Sequence, residues 1–136
     1  SGKGTLYCET VFYNDISTQA YYLSLGAATQ IAMRRGVNAG SDKAGFIYNS
    51  SLGLFASTVS MLKGVTNKTA FAYQLGNSTG CAQGSGLVNV SRNFEYYPTT
   101  MQIGNGNNAG AMIGCIKRIC YYPKRLNDDT IKTMTS

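Results

Sequence analysis

Few residues of this chain could do chemistry, and their types narrow what that chemistry is. Histidine is absent, so neither a Ser-His-Asp nor a Cys-His arrangement can be assembled. The carboxylates are Glu9, Asp15, Asp42, Glu95, Asp128 and Asp129. A glycosidase needs two of them facing each other, about 5 to 10 Å apart. Only Glu9 falls inside a predicted strand, and Asp128 and Asp129 are explained by the start of a helix. Hydrolysis by that route is not expected, and the chain reads as a binding module rather than an enzyme. The glycine-rich run Gly104 to Gly110 precedes a strand and not a helix, so it reads as a turn rather than a phosphate-binding loop.

Metal chemistry has little to work with. The cysteines Cys8, Cys81, Cys115 and Cys120 contain no CxxC pair, and their scatter argues against a four-thiolate zinc site. Free, buried thiols are expected, since unpaired cysteine behaves as a small hydrophobe; two disulfides are the alternative. Calcium takes about six to eight oxygen ligands, usually with several carboxylates. Asp15 and Asp42, with Asn14 and Asn38 nearby, are the loop candidates; they read as solvated loop residues, and no cofactor is expected.

The remaining polar and aromatic side chains suit recognition of sugars, where rings stack and Asn or Arg reach hydroxyls and acidic groups. Tryptophan is absent, so tyrosine must do any stacking. The candidate contact residues are Tyr21, Tyr22, Arg34, Arg35, Tyr48, Arg92, Tyr96, Asn107 and Asn108. For each of them taken singly, a place in the core or on the solvated rim is the plainer expectation. The net charge of +6 suits an acidic partner or simple solubility. The basic pairs Arg34-Arg35, Lys117-Arg118 and Lys124-Arg125 are dispersed, which argues against a nucleic-acid groove. No run of 18 apolar residues predicts a membrane-spanning helix.

These residues need a scaffold, and 136 residues suffice for one domain with its own core. Only 13% of residues are charged, against 16 Gly and 10 Tyr, a balance suited to strands and turns rather than helices. In Thr5 to Tyr13, Leu6, Cys8, Thr10 and Phe12 share one face and Tyr7, Glu9, Val11 and Tyr13 the other, predicting a strand. Tyr21 to Leu25 and Thr29 to Arg35 predict a hairpin turning at Gly26-Ala27, with Ile31 and Met33 alternating with Gln30, Ala32 and Arg34. Gly36 to Lys43 reads as a turn region. Short strands are predicted at Gly45 to Asn49 and Gly53 to Ala56. Lys68 to Leu75 alternates, with Phe71 and Tyr73 on one face; Gly76-Asn77 turns, and Ser78 to Ala82 returns. Pro98 disfavours a central strand at Asn93 to Thr99. Met101 to Gly104 is a short strand and Met112 to Tyr122 the longest. Asn127 is placed to cap a short C-terminal helix, with Asp128 and Asp129 in its first turn and Leu126, Ile131 and Met134 facing the sheet. Ser1 to Gly4 reads as a linker or tag remnant before a domain at 5–136, and the chain as a fragment of a larger protein.

The closing segment Gly114-Cys115-Ile116-Lys117-Arg118-Ile119-Cys120-Tyr121-Tyr122-Pro123-Lys124-Arg125-Leu126-Asn127-Asp128 resembles the C-terminal signature of concanavalin A-like (laminin G-like) domains at the ends of bacteriophage tail and other virion proteins. Gly4 to Glu9 is similar to that family's first strand, Ala70 to Tyr73 to a middle strand, and Met101 to Gly104 to the short strand before its last loop. The resemblance implies an all-β, two-sheet antiparallel jelly-roll sandwich with a short C-terminal helix, its first and last strands side by side. Glycan-cleaving relatives carry Glu and Asp alternating on one strand, a cluster missing here. What the resemblance implies is a carbohydrate-binding, host-receptor recognition domain of a tail fibre or tailspike, assembled in the bacterial cytoplasm. Its partners would be a bacterial surface glycan (capsule or lipopolysaccharide) and other virion subunits, with a homotrimer as the usual state. The alternative is a structural decoration or assembly module that binds protein and no glycan.

Overall fold

The computed structural model describes residues 2–15, 20–26, 31–36, 41–48, 54–91, 97–104 and 110–136. Among the described residues, alternating side chains and frequent turns produce ten strands: β1 (Gly4–Phe12), β2 (Ala20–Leu25), β3 (Ile31–Arg35), β4 (Lys43–Tyr48), β5 (Leu54–Ser60), β6 (Asn67–Tyr73), β7 (Ser78–Ala82), β8 (Ser85–Val90), β9 (Met101–Ile103) and β10 (Gly114–Tyr122), followed by one helix, α1 (Asp128–Thr135). They form two antiparallel five-stranded sheets, ordered β10-β1-β6-β7-β8 and β5-β4-β3-β2-β9. The first and last strands pair, from Thr5 opposite Tyr122 to Phe12 opposite Gly114. This is the jelly-roll sandwich expected from the sequence. β1 opens one residue earlier than predicted, at Gly4, and β5 runs on to Ser60. The strand β8 was not anticipated; Gly84 and Gly86 interrupt the alternation there.

The core follows from the period of two. On β1, Leu6, Cys8 and Phe12 face inward and meet Tyr22, Leu23, Met33, Phe46 and Tyr48 from the other sheet, with Phe71 and Tyr73 from β6. Phe12 meets Tyr22 edge-on at 6.1 Å between ring centres, and Phe46 lies 5.5 Å from Phe71. Gly80 makes the second contact fit: a Cβ there would collide with the Phe46 ring. Each such buried aromatic contributes roughly 1.5–3 kcal/mol over exposure. One hydrogen bond ties the sheets together across the core, from the Tyr22 hydroxyl to Thr69 Oγ1 at 2.9 Å.

The outer face of the β1-containing sheet is covered by α1. Asn127 caps the helix, its side chain accepting from the Thr130 amide at 2.8 Å, with Asp128 and Asp129 in the first turn. Ile131 packs with Tyr7, Ala70, Ala72 and Cys81, joined by Leu126 and Met134. The Thr135 hydroxyl, fully buried, accepts from the Gly84 amide at 3.0 Å. Leu126 is drawn back by the hydrogen bond that its backbone N–H donates to Thr5 Oγ1, which itself donates to the Lys124 carbonyl. No helix of the described residues is long and apolar enough to cross a membrane.

The four cysteines are free thiols, two buried and two partly so. Burial, then the nearby Glu9 carboxylate, pushes the Cys8 thiol up to about 12, against about 8.5 in an unfolded chain. A raised folded pKa means that this group's stabilising contribution is complete below about pH 8.5 and declines as pH rises towards 12. Cys8 is therefore expected to resist iodoacetamide in the folded protein at pH 9 and to react fully in denaturant, read by peptide mass analysis. Alkylation of folded Cys8 at the denatured rate is the contrary result.

Candidate functional site

On the side of the second sheet that faces away from the core, the central side chains are Tyr21, Ala32, Arg34 and Ile47, all of them buried. On β3 the alternation that sends Ile31 and Met33 into the core sends Ala32 and Arg34 outward. Arg34 stands opposite Tyr21 on β2 and Gly45 on β4. Its Nη1 donates to the Tyr21 hydroxyl at 3.0 Å, and its guanidinium carbon lies 5.4 Å from the centre of the Tyr21 ring. Ala32 and Ile47 pack beside Tyr21. Arg34 is 5% exposed and Tyr21 8%. A guanidinium held beside a tyrosine ring in a low-dielectric setting is a strong, planar donor for a carboxylate or phosphate. The margin of this face is polar. Lys43 Nζ donates to Ser60 Oγ at 2.8 Å, and Ser60 Oγ donates to Asp42 Oδ1 at 2.9 Å. Ala56 and Thr58 are exposed, and Gln102, opposite Ser24, is half-buried.

Three of the anticipated contact residues belong elsewhere. Tyr22 and Tyr48 are fully buried between the sheets: Tyr48 shares the inward parity of Ala44 and Phe46 on β4, and Tyr22 packs inward beside Leu23 where the register of β2 shifts; they pack the core and do not reach the surface. Arg35 has the parity opposite to Arg34. Its Nε donates to the Met61 carbonyl at 2.8 Å and its Nη1 to the Asn14 carbonyl at 2.9 Å, and its guanidinium carbon lies 4.6 Å from the centre of the Phe12 ring. Burial lowers its pKa, while Asp42 and Asp15 act in the opposite direction. Arg35 is thus a tie between chain segments. Arg92, Tyr96, Asn107 and Asn108 lie outside the described residues, as do Glu95 and Asn38. Among the described residues of the anticipated set, Tyr21 and Arg34 are brought together on the side of the sheet away from the core.

The two loop carboxylates weighed for calcium have protein partners. Asp15 pairs with Lys63 Nζ at 3.0 Å, and Asp42 accepts from Ser60. Among the described residues no group of three potential metal ligands is gathered. On the helix-covered sheet, Glu9 stands between Lys68 on β6 and Arg118 on β10 and accepts from the Tyr7 hydroxyl at 2.6 Å.

A feature that sequence reasoning missed lies on the flank where β9 and β10 are both edge strands. A cavity of about 220 Å³ opens there, lined by Leu25, Tyr73, Pro98, Thr99, Thr100, Met101 and Tyr121. Its walls come from four separate segments, so no local pattern marks it. The only sequence signal is the surplus of apolar residues on short β9 and its surroundings, where Ile103 is 60% and Ile113 57% exposed.

No family model matches the chain, and no curated protein matches it. Solved structures do match in fold. The native heptameric SAP-like pentraxin of Limulus polyphemus superposes with a TM-score of 0.74 at 14% identity, covering 98% of this chain and 70% of that one. The CBM40 of the Ruminococcus gnavus IT-sialidase, bound to alpha2,3 sialyllactose, gives 0.74 at 14% identity over 98% and 83%. Trypanosoma rangeli sialidase in complex with the inhibitor DANA gives 0.75 at 13% identity; all but a few residues of this chain match, over only 22% of that protein. At these identities the likeness establishes the concanavalin A-like jelly-roll fold.

Proposed function

We propose that this domain binds an acidic glycan on the outer face of the β5-β4-β3-β2-β9 sheet, as the receptor-recognition part of a bacteriophage virion protein such as a tail fibre or tailspike. The observation that carries the reading is the Arg34–Tyr21 pair on the side of this sheet that faces away from the core. Arg34 and Tyr21 form the floor of the site, with Lys43, Thr58 and Gln102 at its margin. A structure of the same fold, the Ruminococcus gnavus CBM40, holds sialyllactose, which supports a negatively charged sugar as the ligand class. The virion context rests on the closing segment, whose strand, Pro123 stop, Leu126 return and Asn127 cap follow the family pattern. Weak single sites would gain avidity from several copies, as in a homotrimer assembled in the host cytoplasm. A second reading, an assembly module contacting other virion subunits, draws on the exposed Ile103 and Ile113.

The test is titration of the domain against sialyllactose and a panel of capsular and lipopolysaccharide glycans, at low and high salt. Saturable binding to an acidic glycan is expected, weakened by salt. Arg34→Gln is expected to weaken it at least about 30-fold, the loss of a central charged contact worth about 2 kcal/mol. No binding even by a multivalent display, or binding indifferent to Arg34→Gln in a folded variant, overturns the reading.

A further inference from the structure

We infer that the flank cavity between β9 and β10 is a second ligand site, one that takes a single neutral sugar ring stacked on Tyr121. It lies apart from the Arg34–Tyr21 face and draws on different residues. Three observations converge on this ligand class. First, none of the described lining residues Leu25, Tyr73, Pro98, Thr99, Thr100, Met101 and Tyr121 is charged, so neither an acid nor an amine finds a counter-charge among them. Second, the Tyr121 ring is 45% exposed although its strand neighbour Leu6 is fully buried. An aromatic face open to solvent at the mouth of a cavity is suited to the C–H face of a pyranose. Third, the lining carries hydroxyls on Thr99, Thr100, Tyr73 and Tyr121. A purely hydrocarbon guest would strip water from these groups and return no hydrogen bond, whereas a sugar presents apolar C–H groups to Tyr121, Met101 and Leu25 and hydroxyls to the others.

Size points the same way. Sites for drug-sized ligands run about 300–1,000 Å³; at about 220 Å³ this cavity takes one ring, with the rest of a chain left outside. The site is built rather than incidental. Tyr73 and Tyr121 both lie over Gly4, which permits that approach, since a Cβ there would lie 2.7 Å from the Tyr73 hydroxyl and 2.9 Å from the Tyr121 ring. The opposite flank is closed, with Ser57 of β5 donating to the Gly86 carbonyl of β8.

The inference extends the glycan reading to a second, neutral sugar, and the experiment separates the two. Methyl α-glucopyranoside, methyl β-galactopyranoside and N-acetylglucosamine are titrated by saturation-transfer difference NMR into the wild type, Tyr121→Phe, Tyr121→Ala and Thr100→Val, each checked for folding by thermal melting. At least one sugar is expected to saturate the wild type. Tyr121→Phe keeps the ring and should bind within about threefold, while Tyr121→Ala should weaken binding about tenfold or more. Thr100→Val, which conserves shape, should weaken it measurably where Tyr121→Ala fails to fold. Binding of N-acetylneuraminic acid, an acidic sugar with no neutral ring, should be unchanged in all three variants. Neutral-sugar binding that survives both Tyr121→Ala and Thr100→Val, absence of saturation by all three sugars, or displacement of no sugar while indole binds, overturns the inference and leaves the Arg34 face standing. Neutral-sugar binding without N-acetylneuraminic acid binding overturns the Arg34 face and leaves this site.

Discussion

Phe46→Ala is expected to be the most destabilising single truncation in this domain, at about 3–5 kcal/mol. Phe46 is fully buried, lies against Phe71 across the core, and fills the space above Gly80 where no side chain could stand. The truncation opens a void that sheet backbones on both sides prevent from closing. The counterpart is Gly80→Ala, whose methyl group would meet the Phe46 ring. Its φ is not in the left-handed region, so the cost is steric, about 1–3 kcal/mol of overpacking. In the Phe46→Ala background that methyl enters empty space. The double variant should therefore be no less stable than Phe46→Ala alone, with a coupling of about 1–3 kcal/mol. Urea denaturation of the four proteins measures this cycle. Additive single effects would show that Gly80 and Phe46 do not share the space that the packing assigns to them.

Arg35→Ala is the second large effect, expected at about 3 kcal/mol, from two charge-assisted hydrogen bonds of about 1.5–3 kcal/mol each that do not add fully, together with packing on Phe12. The side chain joins β3 to the Met61 carbonyl and to Asn14, and its loss leaves those carbonyls without these donors. Arg35→Lys should recover only part of the loss, because a single ammonium cannot reproduce a planar fork that stacks on a ring and reaches two carbonyls. Melting temperature should fall by roughly 4 °C per kcal/mol for a domain of this size. Arg34→Gln, one residue away, should lower stability less and ligand affinity more. A stability loss under about 1 kcal/mol for Arg35→Ala would show that these bonds are not formed in solution.

The contrast between Arg34 and Arg35 shows how far the sequence could be read. Alternation assigned Ile31 and Met33 to one face of β3, and the same count carries Arg35 into the core with them. The residue type, a charge beside another charge, suggested a surface pair instead. Tyr48 shares parity with Ala44 and Phe46 and could have been placed the same way. Tyr22 was harder, since the register of β2 shifts between Tyr21 and Leu23 and two consecutive residues, Tyr22 and Leu23, both pack in the core. The inward face of β6 and the capped helix were legible because each rests on a strong local pattern, whereas the pairing of β1 with β10 was implied only by the family resemblance of the closing segment. The strand β8 was not, since Gly84 and Gly86 mask a short alternation. The flank cavity was not legible at all, being a property of how distant segments converge.

The pairing of β1 with β10 also constrains the order of assembly. Thr5 and Lys124 are hydrogen-bonded across 119 positions of sequence, so the β10-β1-β6 part of the sheet is complete only after nearly the whole chain exists. Until then β1 has an open edge and Leu6, Cys8 and Phe12 have lost part of their cover. Topologies dominated by such distant pairings fold in about milliseconds to seconds. A nascent chain of this protein would therefore carry one sheet unfinished until β10 has been made, and that strand acts as the latch whose arrival completes the sheet.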